Sequence, residues 1–245
     1  MTEAPSNYSG GRIQLIDALR GLAVVLMCFH HLFYDCVDLL GAPQWLFWNP
    51  VFNFLHYVFA GTFILLCGVS CRFSRSNLRR GLIALGCAAA ITLVTVLLEM
   101  DIWFGVLHLL AFCMLFFAAT GKLWDKLPGW LLGALWVILI PVSAVLLNKV
   151  TMPSQGAAGV FFWVCGWNPD LVFSNDYFPL LPWIFVFLLG TVLGTPIREG
   201  RFPKWFYTWT CPFFPAVGRK ALLVYIVHQP VLYGLVWLIA MIAGK

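Results

Sequence analysis

The chain has 245 residues, of which 62% are hydrophobic and only 10% charged, with a formal net charge of +5. Soluble domains carry about 25% charged residues, so this composition excludes a water-exposed globule, which would lack the polar surface to cover itself. It points instead to an all-α, polytopic membrane helical bundle, and the long apolar runs do not resemble the short alternating strands of an outer-membrane barrel.

In chain order, 1–11 is polar and reads as a flexible cytoplasmic tail, without the basic start and small-residue cleavage site of a signal peptide. Residues 12–245 read as a single transmembrane domain. Seven apolar spans are expected, at 13–39, 51–71, 80–98, 103–121, 129–147, 178–196 and 220–243, each near the ~20 residues that cross a bilayer.

The first span contains "RGLAVVLMCFHHLFYD". At about 100° per residue, His31 returns to within ~20° of Arg20, and Asp17, Met27 and Asp35 fall within roughly 60° of it. One face of this helix therefore carries a polar stripe, with His31 ~16 Å beyond Arg20. His30 points some 100° away from His31 and reads as its structural neighbour. Ionisable groups inside a membrane span are costly and usually face a water-filled cavity or a substrate path. Asp17 with Arg20 at i,i+3, and His31 with Asp35 at i,i+4, would also make local pairs. Asp35 is placed to orient the His31 ring and raise its basicity.

His56 begins the second span, and the link after it, "RFSRSNLRR", holds Arg72, Arg75, Arg79 and Arg80. By the positive-inside rule this link is cytoplasmic. Seven spans then place the amino terminus inside and the carboxyl terminus outside, with Lys122, Lys126, Arg198, Arg201, Lys204, Arg219 and Lys220 also inside. Glu99 and Asp101 close the third span, and the short link there makes a helical hairpin with the fourth, which His108 opens. An outer loop, 148–177, carries Asp176 just before the sixth span. His228 and Gln229 sit mid-span in the seventh. His108, Glu99, Asp101, Asp176, His228 and Gln229 thus converge on the outer half as a candidate substrate pocket.

Eight cysteines, most of them inside apolar runs, read as structural thiols. No CxxC pairing suggests a metal site, and no GxSxG, HExxH, Walker A or GxGxxG motif is present. The placement of the positive charge indicates topology, so no nucleic-acid partner is expected. Membrane lipids are the expected surroundings, and a homo-oligomer is allowed.

The chemistry that suits these groups is acyl transfer to a hydroxyl or amine, with a histidine removing the acceptor's proton. The inner basic face, with Arg20, its neighbour Asp17, Arg72 and Arg219, suits the phosphates of an acyl-coenzyme A donor. A transporter of small or lipid-linked molecules using the same polar path is the alternative.

Three segments carry a resemblance. "IDALRGLAVVLMCFHH", "FGVLHLLAF" and "RKALLVYIVHQPVL" are similar, in this order, to segments of the bacterial relatives of heparan-α-glucosaminide N-acetyltransferase, over roughly residues 12–244. The wider transmembrane acyltransferases, the acyltransferase-3 proteins among them, share the Arg20-to-His31 spacing. The resemblance implies transfer of an acetyl group from cytoplasmic acetyl-coenzyme A to an extracytoplasmic amino sugar or glycan across a bacterial cytoplasmic membrane. It implies Arg20 as a donor-side group, His31 as the catalytic histidine, and His108 and His228 as pocket residues. The chain is shorter than the lysosomal enzyme, in which asparagine matches His31 and the catalytic histidine lies later. His56 is the nearest later histidine here, so His31 and His56 both stand as the base.

Overall fold

A computed structural model describes residues 11–244. The tail expected at 1–11 lies outside them, apart from Gly11. The described residues form ten α-helices and no strand: α1 Gln14–Leu40, α2 Pro50–Cys71, α3 Asn77–Leu97, α4 Val106–Trp124, α5 Gly129–Lys149, α6 Gly156–Cys165, α7 Trp183–Arg198, α8 Lys204–Thr208, α9 Phe214–Arg219 and α10 Ala221–Ile242. Helices are what apolar runs must form in hydrocarbon, because no water is there to satisfy a backbone amide.

Six helices are long and apolar enough to cross a membrane: α1, α2 with the turn before it, α3, α4, α5 and α10. Their outer surfaces are apolar, with Leu97, Trp130 and Ile242 more than 70% exposed, as suits side chains facing lipid. The protein is an integral membrane protein. The segment expected as a span at 178–196 forms α7, a helix of 16 residues. Pro179 and Pro182 precede it, each lacking the amide that an earlier start would use. The loop expected at 148–177 contains the ten-residue α6, which stops at Gly166 in the left-handed conformation, φ 116°.

The residues gather into two compact units. One holds the described residues up to Phe63 and those from Gly200 onward; the other is Ile64–Glu199. In the first, α1 packs against α9 and α10. The α1–α9 contact is made backbone to backbone. A Cβ on Gly21 would lie 2.0 Å from the Phe214 carbonyl oxygen, and one on Gly218 would lie 1.8 Å from that of Asp17. Membrane helices associate without a hydrophobic driving force between them, so small residues that allow close approach supply the contact. α1 ends where Gly41 turns left-handed and Ala42 N–H reaches the Cys36 carbonyl.

In the second unit, α3 and α4 form the expected hairpin, and α7 packs on α4 and α5. Ser76 caps α3 by accepting the Arg79 amide at 3.2 Å. Gly68 on α2 and Gly190 on α7 make a second seam, where a Cβ on either would lie 2.0 Å from a carbonyl oxygen of the other helix.

Candidate functional site

The expected residues divide between the two units. His31, Asp35, His56, His228, Gln229, Arg20, Asp17 and Arg219 belong to the first. His108, Glu99, Asp101, Asp176 and Arg72 belong to the second.

In the first unit, α1 brings its stripe against α9 and α10. At the start of α1, buried Asp17 takes Arg20 Nη1 at 3.0 Å and is also paired with Arg12. Two guanidiniums on one carboxylate keep the buried charge satisfied. The local i,i+3 pair expected for Arg20 is therefore formed. Gly218 rests on this turn of α1, so Arg219 follows directly after the contact.

Further along α1, Asp35 is 1% exposed. Its carboxylate accepts from Gln229 Nε2, at 3.1 Å to Oδ1 and 3.3 Å to Oδ2. It does not orient His31, as the i,i+4 spacing suggested. The amide of α10 competes successfully because it reaches both oxygens, and a buried carboxylate takes the donor geometry it is offered. The pair fixes α10 against α1. Gln229→Leu removes this donor and leaves the carboxylate unsatisfied. It is expected to cost about 1–3 kcal/mol, read as a lower melting temperature of the detergent-solubilised protein. Unchanged melting would show that the pair does not hold the helices.

The histidines form a row. The His31 ring centroid is 5.0 Å from His228 on α10 and 5.8 Å, edge-on, from His30. His30 in turn lies 4.2 Å from His56 on α2, with His30 Nε2 and His56 Nδ1 hydrogen-bonded at 3.0 Å. The centroids thus step His228, His31, His30, His56. His30 is buried and stacks on Phe52, 17° from parallel, with Phe47 and Phe59 also against it. The sequence offered no sign of this pairing. A helical wheel reports directions on one helix, and the partner of His30 comes from another.

His228 Nδ1 lies 2.6 Å from the Tyr225 carbonyl oxygen. A carbonyl only accepts, so Nδ1 carries the hydrogen and Nε2 holds the lone pair. That Nε2 is buried and has no hydrogen-bond partner, as are His30 Nδ1 and Gln229 Oε1. Buried polar atoms are rarely left in this state except where a ligand or water belongs.

In the second unit, the link between α3 and α4 is tied to the segment before α7. Asn175 N–H donates to the Asp101 carbonyl at 2.9 Å and Phe178 N–H to that of Phe104 at 2.9 Å. Thr92 Oγ1 donates to the Ile102 carbonyl at 2.7 Å and lies 3.0 Å from His108 Nε2. A hydroxyl has one hydrogen, so Thr92 accepts from His108 Nε2–H, and His108 Nδ1 holds the lone pair. Asp176 lies against Gly105, where a Cβ would come within 2.5 Å of Asp176 Oδ2. Glu99 is exposed at φ 57°. Beside this link, Tyr177 stacks on Trp163 and donates to the Trp163 carbonyl; burial pushes its hydroxyl pKa up.

Arg72, just past α2, donates through Nε to the Thr191 carbonyl at 2.9 Å and through Nη1 to Asp125 at 2.6 Å. It also lies 4.9 Å over the Phe117 ring. Together with Lys122, Arg198, Ser76, Asn77 and Asp125 it lines a cavity of about 330 Å³. Three cations against one carboxylate leave this cavity net positive, so the residues present fit a phosphate-bearing group.

A family model described as heparan-alpha-glucosaminide N-acetyltransferase, catalytic, matches residues 12–230. Among curated proteins and solved structures nothing matches.

Proposed function

The chain belongs to the heparan-alpha-glucosaminide N-acetyltransferase catalytic family, and from that premise we propose that it transfers an acetyl group from acetyl-coenzyme A, or another acyl-coenzyme A, to an amine or hydroxyl of an extracytoplasmic sugar or glycan. We place it in a bacterial cytoplasmic membrane with its amino terminus inside. The observation that carries the site assignment is the ring of His31 on α1 set against His228 on α10, beside a bare, buried Nε2. Such a nitrogen receives a donor, and an acceptor sugar supplies N–H and O–H groups.

The thioester supplies the acyl carbon. His31 takes a proton from the attacking amine or hydroxyl as the new bond to the carbonyl carbon forms. The carbon–sulfur bond breaks, and the leaving thiolate takes the proton that His31 removed from the attacking group. His228 accepts a hydrogen bond from the sugar through Nε2, and Asp35 with Gln229 holds α10 in position for it. Lys122, Arg198 and Arg72 suit the donor's phosphates in their unit; Arg20 and Arg219 are the donor-side candidates of the other.

Purified protein in nanodiscs, given acetyl-labelled acetyl-coenzyme A and a panel of amino sugars and glycans, is expected to yield a labelled acetylated product. Labelled product with none of the panel, alongside uptake of a sugar into proteoliposomes without donor, would replace this reading with transport.

A further inference from the structure

We infer that His30 and His56 form a proton-transferring pair that carries the proton released by an amine acceptor away from His31; the inference rests on the proposed acetyl transfer. An amino sugar at neutral pH arrives largely as an ammonium ion. Its acetylation balances as R–NH3⁺ plus the thioester giving R–NH–acetyl, the free thiol and one proton. That proton has to leave a site enclosed by apolar helices. A hydroxyl acceptor releases none, because the proton it loses is the one the thiolate gains.

The geometry supplies a route. His30 Nε2 and His56 Nδ1 are 3.0 Å apart, so one of them donates. If His56 donated, His30 would carry its hydrogen on Nδ1, which is buried without a partner. Orphaned buried N–H groups are rarer than orphaned acceptors, so His30 donates from Nε2 and its buried Nδ1 holds the lone pair. His31 is the next ring, its centroid 5.8 Å from that of His30 and edge-on, so transfer to the buried Nδ1 requires a small ring movement that admits a bridging water. The steps then balance. His31, protonated by the ammonium, passes its proton to His30 Nδ1. His30 gives its Nε2 proton to His56 Nδ1, and His56 releases a proton from its other nitrogen. His30 and His56 each end neutral with the hydrogen on Nδ1, and loss of that proton with uptake of one at Nε2, by exchange with water, returns the starting tautomers.

A purely structural role for His30 is the competing account, since it sits among Phe47, Phe52 and Phe59. His30→Phe fills that aromatic site without a nitrogen. With an amine acceptor, it is expected to lower kcat at least tenfold with KM little changed. His30→Ala is expected to recover part of the lost rate when free imidazole is added, which a packing defect would not do. His30→Phe retaining wild-type kcat would overturn the inference.

A second measurement needs no activity. The chain has five histidines, few enough to assign in ¹⁵N-histidine spectra by comparison with His30→Phe. His30 is expected as the Nε2–H tautomer with an unprotonated Nδ1, and a protonated Nδ1 on neutral His30 would overturn the inference. If the wild type transfers no acetyl group, the proposed function fails, and the tautomer still decides the pairing of His30 with His56.

Discussion

His31→Ala is expected to lower acetyl transfer by about 10²–10⁴-fold, the range that a positioned general base contributes. The protein should remain folded, because the His31 ring meets its neighbours through ring contacts with His30 and His228. His31→Asn is the informative companion. It keeps a polar side chain but cannot take a proton near neutral pH, so it should be as slow as His31→Ala. His56→Ala should be slow only toward amines if His56 acts through His30, and slow toward every acceptor if it is the base itself. Label transfer by His31→Ala at the wild-type rate, with transfer lost in His56→Ala, would move the base from α1 to α2.

Gly218→Ala is expected to be the most damaging small substitution in the chain. The added methyl carbon would lie 1.8 Å from the Asp17 carbonyl oxygen and 2.9 Å from the Gly21 nitrogen. No rotamer relieves this, because the obstacles are backbone atoms. α9 must move off α1, at a cost of about 1–3 kcal/mol or more, and the turn that holds Asp17 between Arg12 and Arg20 moves with it. Gly234→Ala is the control. Nothing lies within 4 Å of a Cβ there, and alanine favours a helix over glycine by about 0.5–1 kcal/mol. Thermal unfolding followed by size-exclusion chromatography should therefore place Gly218→Ala below wild type and Gly234→Ala at or above it. Equal melting of the two variants would show that the α1–α9 seam has room to spare.

The helical spans were legible because hydrocarbon imposes one solution on a long apolar run, and composition alone reports it. The polar face of α1 was legible for a similar reason: residues on one helix have fixed relative directions. Asp17 with Arg20 is such a pair, and it is formed. The sequence misled where the choice of partner belongs to another helix. Asp35 is spaced to meet His31 yet meets Gln229, which is 194 positions away. His30 was assigned to packing by its angle, although its nitrogen meets His56 across 26 positions. Thr92, which sets the tautomer of His108, left no signal at all, since a threonine in a membrane helix more often bonds its own backbone. Gly21 and Gly218 were unremarkable among 21 glycines; only the helix crossing distinguishes them. α7 fell short of a full span because prolines before it delay its start.

The partnership of Asp35 with Gln229 also has a history within each molecule's synthesis. Of the described helices, α1 is made first and α10 last. At about 5–20 residues per second, the 194 positions between the two side chains correspond to roughly 10–40 s of translation. During that interval Asp35 has left the ribosome without the amide that will satisfy it. A carboxylate in this state is expensive at membrane depth, so α1 has reason to stay shallow or sheltered by the insertion machinery until its final neighbour emerges. Truncation before α10 should thus leave the earliest helix, rather than the missing one, as the segment that quality control recognises.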